Sequence, residues 1–345
     1  MTSVLNLQSE VFTYKNELAL ECGETLSEFQ LRYTTMGTLN EQRDNAVWVC
    51  HALTGNSNFT DWWKDFFDNN CPFDLAAHFF ICANTIGGCY GSTGALSVNP
   101  KTNAPFYHDF PLVTTRDAVR AFDRLRQHLK IPKIHTLIGS SLGGQQALEW
   151  SIEQPSLFER LLVIAASAMQ SPWGIAINEA QRMAIAADAT WKEKNPDAGK
   201  AGMMAARAMG MVSFRSFDCF EDTQPNTDLE QLDHYRAASY QQYQGQKLAN
   251  RFDAFTYWIL SKMMDSHNVG RGRGGAEKAL SQVKAKTLAV GIPSDILFPV
   301  AEQQFIAKHI PDATLELIAS SFGHDGFLVE AKKMQSVIKK FLNHN

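Results

Sequence analysis

Ser141 stands in Gly139-Ser140-Ser141-Leu142-Gly143, where the apolar run Ile134 to Gly139 meets a helical stretch with no loop between them. A serine at the apex of so sharp a strand-to-helix turn projects its hydroxyl above the sheet, and flanking glycines let strand and helix approach closely. The hydroxyl is a poor nucleophile at neutral pH, so it needs a base within hydrogen-bond reach and a carboxylate to orient that base. For a nucleophile in this kind of turn the chain order is serine, acid, histidine. Asp295 and His324 supply that order: Asp295 in Gly291-Ile-Pro-Ser-Asp-Ile-Leu-Phe-Pro299, just after a strand-like run, and His324 in Ser321-Phe-Gly-His-Asp-Gly-Phe327, before the last helical stretch. Seen singly, Asp295 reads as a turn residue and His324 as a surface histidine. In sequence behind Ser141 they read as a relay for acyl transfer. Of the other histidines after Asp295, His309 falls in a helical stretch and His344 in the tail.

The oxyanion formed at an acyl carbonyl needs two preorganised donors. One is expected from the backbone N–H of Leu142, next to the nucleophile. The other is expected from the loop His51-Ala-Leu-Thr-Gly-Asn56 after the run Asn45 to Cys50, with Leu53 as the candidate.

The elements that must hold these residues are legible as apolar runs at Asn45 to His51, Phe79 to Asn84, Ile134 to Gly139, Leu161 to Ala166 and Thr287 to Ile292, with amphipathic stretches between several of them. Such alternation implies an α/β class with a mostly parallel sheet flanked by helices. A helix is expected over Arg116 to Leu129 and a last one from Gly326 to Leu342. The rhythm breaks after about Gln170, and an Ala-, Met-, Gln- and Tyr-rich helical region follows. The expected division is therefore core residues 1–170, an inserted helical lid over 171–282, and core residues 283–345.

Composition narrows the function. A chain of 345 residues, 45% hydrophobic and 20% charged, has the make-up of a globular protein, and a net charge of -4 gives no electrostatic footprint for nucleic acid or an anionic membrane. With no secretory leader pattern and no bilayer-length apolar run, a cytoplasmic location is expected. Six cysteines without a CxxC pair indicate neither a disulfide framework nor a metal site. Gly270-Arg-Gly-Arg-Gly-Gly275 lacks the preceding strand and lysine-serine end of a phosphate cradle and reads as a mobile lid loop. The loop Gly87 to Gly94 also lacks that lysine, its Cys89 has no evident base, and the pair Trp62-Trp63 reads as packing.

Taken with their neighbours, these residues resemble the homoserine O-acyltransferase family of the α/β-hydrolase superfamily. The resemblance spans nearly the whole chain. It rests on Arg32-Tyr-Thr-Thr-Met-Gly-Thr-Leu-Asn40, Cys50-His-Ala-Leu-Thr-Gly55, Gly88-Cys-Tyr-Gly-Ser-Thr-Gly94 with Ser97-Val-Asn-Pro100, Thr114 to Arg120, Gly143 to Trp150, Asn178 to Asp188 and Gly323-His-Asp325.

The resemblance implies an α/β-hydrolase fold and a homoserine O-acetyltransferase activity in methionine biosynthesis. Acetyl-CoA is the implied co-substrate, no cofactor is permanently bound, and two copies are expected to pair through the lid. It also implies that Arg207 binds the carboxylate, and Asp325 the ammonium, of an amino-acid acceptor. A guanidinium and an acid are the groups that such a zwitterion wants. The Gly270 to Gly275 loop is a candidate for touching the phosphates of CoA. Phe214 stands where the family commonly has tyrosine, which leaves L-serine open beside L-homoserine as acceptor. Succinyl-CoA as donor, a carboxylester hydrolase with the same triad, and a silent binding protein on this fold are the other readings.

Overall fold

Continuous rather than alternating apolar runs, rich in β-branched and aromatic residues, suit strands buried on both faces. In the computed structural model, which describes residues 7–343, those runs form the centre of one eight-stranded sheet. The strands are β1 (Leu7–Tyr14), β2 (Phe29–Met36), β3 (Ala46–Cys50), β4 (Phe79–Ala83), β5 (Ile134–Ser140), β6 (Phe158–Ile164), β7 (Lys286–Gly291) and β8 (Ala313–Leu317). Their order is β1-β2-β4-β3-β5-β6-β7-β8. Pairing is antiparallel for β1 with β2 and β2 with β4, and parallel from β4 to β8. Strand β6 begins at Phe158 rather than Leu161, and it stops at Ile164 because Ala165 turns to a φ of 46°.

The helices are α1 (Thr115–His128), α2 (Leu142–Glu153), α3 (Pro172–Ala186), α4 (Lys200–Phe214), α5 (Phe217–Thr223), α6 (Arg236–Ala249), α7 (Ala254–Asp265), α8 (Ala276–Leu280), α9 (Val300–His309) and α10 (Ala331–Asn343). Helix α1 starts on a reciprocal cap: Thr114 Oγ1 accepts from the Asp117 N–H, and the Thr114 N–H donates to Asp117 Oδ2. Helices α3 to α8 occupy the span between β6 and β7, so the sheet's rhythm is interrupted by an all-helical layer. No helix of the described residues is long and apolar enough to cross a membrane.

Alternate side chains of the central strands enter two cores. Trp48 and Leu137 pack with Phe122 and Trp150 of α1 and α2, whereas Val47, Val49 and Ile138 pack with Met334, Ile338 and Phe341 of α10. Trp48 meets Trp150 edge-on at 4.9 Å. The two cores fix strand register, since a slip of one residue would exchange them.

The terminal helix expected over Gly326 to Leu342 is broken. A turn over Gly326–Val329 ends at Glu330, whose φ of -87° and ψ of 45° leave the helical region, and α10 begins afresh at Ala331. Two packing demands cause the break: Phe327 seals the region below His324, while Met334, Ile338 and Phe341 must face the sheet. His344 lies outside the described residues.

Candidate active site

The elbow is built by two close approaches among three elements. A Cβ on Gly139 would lie 2.0 Å from the Gly143 carbonyl oxygen, and one on Gly143 would lie 2.1 Å from the Cys50 carbonyl oxygen. Any side chain there would push β5, α2 and β3 apart. Between them Ser141 takes a φ of 55° and ψ of -126°, a strained conformation for a non-glycine residue. The strain is held by the Ser141 N–H donating to the Ile164 carbonyl at 3.0 Å, and by the Gln145 N–H donating to the Ser141 carbonyl at 3.1 Å.

Asp295 lies in the loop after β7, at the same carboxyl end of the sheet. Its Oδ1 accepts the N–H groups of Leu297 and Phe298 at 2.8 and 2.9 Å, and its Oδ2 accepts from His324 Nδ1 at 2.7 Å. The His324 ring is buried among Phe298, Phe327 and Phe214, with centroids 5.3, 5.4 and 6.1 Å away. Burial disfavours the imidazolium, but the charge and hydrogen bond of Asp295, with the charge of Asp325 added, outweigh it. The His324 pKa is therefore raised above the ordinary 6.5.

Ser141 and His324 line one cavity of about 180 Å³, together with Leu53, Arg207, Phe214 and Asp325. Leu53 reaches the wall; Leu142 opens α2 with its side chain in the core. Neither backbone N–H finds a partner among the described residues, which leaves both free for an incoming oxygen.

Arg207 comes from α4. Its guanidinium lies over the Phe214 ring, 5.2 Å from the centroid, and makes no hydrogen bond or ion pair among the described residues. Desolvation holds its pKa below the ordinary guanidinium range, while Tyr257 and Asp325 oppose that fall. A cavity-facing cation without a counter-ion is chemically suited to an anion. Asp325 makes no side-chain cap to the turn it precedes. Its Oδ2 instead forms an ion pair with Arg215 Nε at 2.9 Å.

Sequence reasoning missed Arg215 and Arg251. Arg251, just before α7, donates through Nη1 to the Thr54 carbonyl at 2.7 Å and to the Tyr90 hydroxyl, so it ties the helical layer to the Leu53 loop. Neither had a motif to mark it. Trp62, read as packing, stacks on Trp63 at 5.4 Å but also lines the cavity, with its Nε1 donating to the Asn56 carbonyl.

In the Gly270 to Gly275 loop both arginines are engaged in ion pairs. Arg271 pairs with Glu21 at 2.7 Å and Arg273 with Glu149 at 2.6 Å, so both guanidiniums are already committed. Arg116 completes the network between the same two carboxylates, at 2.6 and 2.7 Å. The Cys89 thiol is pushed up to about 12, chiefly by burial, and holds no thiolate at neutral pH.

Comparison with known proteins agrees with this fold. Residues 45–331 match the family model for the alpha/beta hydrolase fold. The homoserine O-acetyltransferase of Cyclobacterium marinum is 48% identical over 341 residues, covering 99% of this chain and 97% of that one. The crystal structure of a homoserine O-acetyltransferase from Bacillus anthracis superposes with a TM-score of 0.91 at 23% identity, over 98% of each chain. A mutant of esterase E22 gives 0.89 at 22% identity, covering 98% of this chain and all of that one, so the fold by itself does not separate transfer from hydrolysis.

Proposed function

This chain belongs to the homoserine O-acetyltransferase family of α/β-hydrolase-fold enzymes, and from that premise we propose how its residues acetylate the side-chain hydroxyl of L-homoserine, a step of methionine biosynthesis. Acetyl-CoA is the donor and the reaction is ping-pong. His324, its Nδ1–H held by Asp295, takes the Ser141 proton through Nε2 as Oγ attacks the thioester carbonyl. The oxyanion is held by the N–H groups of Leu53 and Leu142. Collapse breaks the carbon–sulfur bond, and the proton on His324 passes to the departing thiolate of CoA. Homoserine then enters with its carboxylate on Arg207 and its ammonium on Asp325. His324 removes the hydroxyl proton as that oxygen attacks the acetyl-serine ester, and returns it to Ser141 Oγ.

The observation that carries this reading is the unpaired Arg207 guanidinium in the same cavity as Ser141 and His324. A plain esterase has no use for a buried cation that demands an anionic acceptor. Water is kept from the ester by the helical layer over the sheet. Exposed Met209, Val212 and Phe217 on α4 and α5, with Tyr243 on α6, give that layer an apolar outer surface that supports pairing of two copies in a cytoplasmic homodimer.

Release of free CoA is the test, with acetyl-CoA and succinyl-CoA each offered L-homoserine, L-serine or water. Rapid release only with acetyl-CoA and L-homoserine is expected, and Ser141→Ala abolishes both turnover and the acetyl adduct on the protein. Equal release with water, or normal turnover in Ser141→Ala, refutes the assignment.

A further inference from the structure

The segment Phe214-Arg215-Ser216 joins α4 to α5 and is pressed against the loop that carries His324. Gly323 has a φ of 62°, and a Cβ there would lie 2.8 Å from the Ser216 nitrogen and 3.1 Å from the Phe214 carbonyl oxygen. The Ser216 hydroxyl donates to the Ser321 carbonyl and accepts from the Cys219 N–H at 3.0 Å. The Arg215 guanidinium lies 5.6 Å from the Phe322 ring centroid and meets Asp325 Oδ2 at 2.9 Å, with only 21% of its own side chain and 16% of that of Asp325 exposed.

Two carboxylates therefore flank one general base. Asp295 holds His324 Nδ1, whereas Asp325, the adjacent residue, lies on the cavity side. Both charges favour the imidazolium, and an imidazolium cannot accept the serine proton. The opposing cations come from the helical layer: Arg215 in contact with Asp325, and Arg207 in the cavity wall, with the Tyr240 hydroxyl of α6 near both. Ser141 lines the same cavity as His324 from the elbow. Phe214, Phe298 and Phe327 complete its surroundings and carry no charge.

We propose that Arg215 is a positioning residue: it fixes Asp325 by one carboxylate oxygen, leaving the other for the acceptor ammonium, and it offsets part of the second negative charge beside His324. The inference rests on the acyl-enzyme reading above. It assigns to Arg215 a task separate from that of Arg207, which meets the acceptor itself. A neutral residue at 215 both frees Asp325 to rotate and exposes His324 to its full charge. The acceptor then binds poorly, and the base becomes protonated at a higher pH.

The full-length protein is compared with Arg215→Gln and Arg215→Lys by two readouts. One is the KM for L-homoserine at saturating acetyl-CoA; the other is the pH profile of Ser141 acetylation by an aryl acetate, which needs no amino-acid acceptor. Arg215→Gln is expected to raise the KM about tenfold, as Asp325 loses the partly buried ion pair that aims it, with a smaller fall in kcat. It is also expected to move the acidic limb of the acetylation profile to higher pH. Arg215→Lys restores the charge and brings the limb back toward wild type. A folded Arg215→Gln protein with wild-type KM and an unmoved limb overturns the proposal, and so does a folded Arg215→Lys protein with its limb displaced as far as that of Arg215→Gln. Absence of Ser141 labelling in the wild type is a different result: it removes the acyl-enzyme reading itself.

Discussion

His324 Nδ1 lies 2.7 Å from Asp295 Oδ2, and the other Asp295 oxygen is already taken by two backbone N–H groups. The carboxylate cannot turn, so it fixes the imidazole in the tautomer that leaves Nε2 bare.

Asp295→Asn tests that constraint. The amide oxygen can still accept from Leu297 and Phe298, so the fold is expected to survive, but the amide NH2 favours the wrong tautomer. kcat is expected to fall by roughly three to four orders of magnitude. Steady-state CoA release beside an unchanged circular dichroism spectrum is the check; a loss of less than tenfold contradicts the role.

The raised His324 pKa sets opposite trends for activity and stability. In the proposed mechanism His324 works only when neutral, so activity is expected to rise as pH climbs through the folded-state pKa, which lies above the ordinary 6.5. The stability from the His324–Asp295 pair is fully present below the unfolded value of 6.5 and is lost as pH rises through the folded value. Acetylation rate and thermal midpoint, followed upward from pH 6.5, are expected to diverge in Asp295-containing protein, and that pH-linked stability component should vanish in His324→Gln.

Arg207→Met removes the cation that faces the cavity. The KM for L-homoserine is expected to rise by about a hundredfold, the cost of an unmet charged hydrogen bond, while acetylation of Ser141 by acetyl-CoA falls much less. Equal losses in both half-reactions, measured by single-turnover acetylation and steady-state transfer, would argue for a structural role.

Glu149 is fully buried and accepts from both Arg116 and Arg273. Burial acts to raise its pKa, but the two guanidiniums prevail and hold the carboxyl below 4.5. The stability it supplies is present above pH 4.5 and fades as pH drops through the folded value. Glu149→Gln is expected to cost roughly 3 kcal/mol, because two enclosed guanidiniums lose their shared counter-charge. Urea unfolding at neutral pH measures it.

How far the sequence could be read depended on whether each signal was local. The five inner strands showed as unbroken apolar runs because both their faces are covered. Strand β1 did not, since half of its side chains are exposed and only one is buried, and neither did β8, a five-residue strand at the other edge. Strand β2 did carry a usable alternation, with Phe29, Leu31 and Tyr33 inward and Gln30 and Arg32 outward, which a search for continuous runs passes over. Ser141, Asp295 and His324 were marked by turn type and chain order. Arg215 was not, because its partner lies about a hundred positions away and only the folded chain brings them together. The ion pairs of the Gly270 to Gly275 loop were hidden for the same reason: Glu21 and Glu149, which meet its arginines, are distant in sequence.

The wedge of Gly323 against Ser216 makes the roof and the proposed proton acceptor a single mechanical part. Were the helical layer to loosen, it would drag the imidazole out of register with the serine at the moment solvent gained access. Damage or thermal breathing in that layer is thus expected to leave an idle protein rather than one that squanders thioester on water.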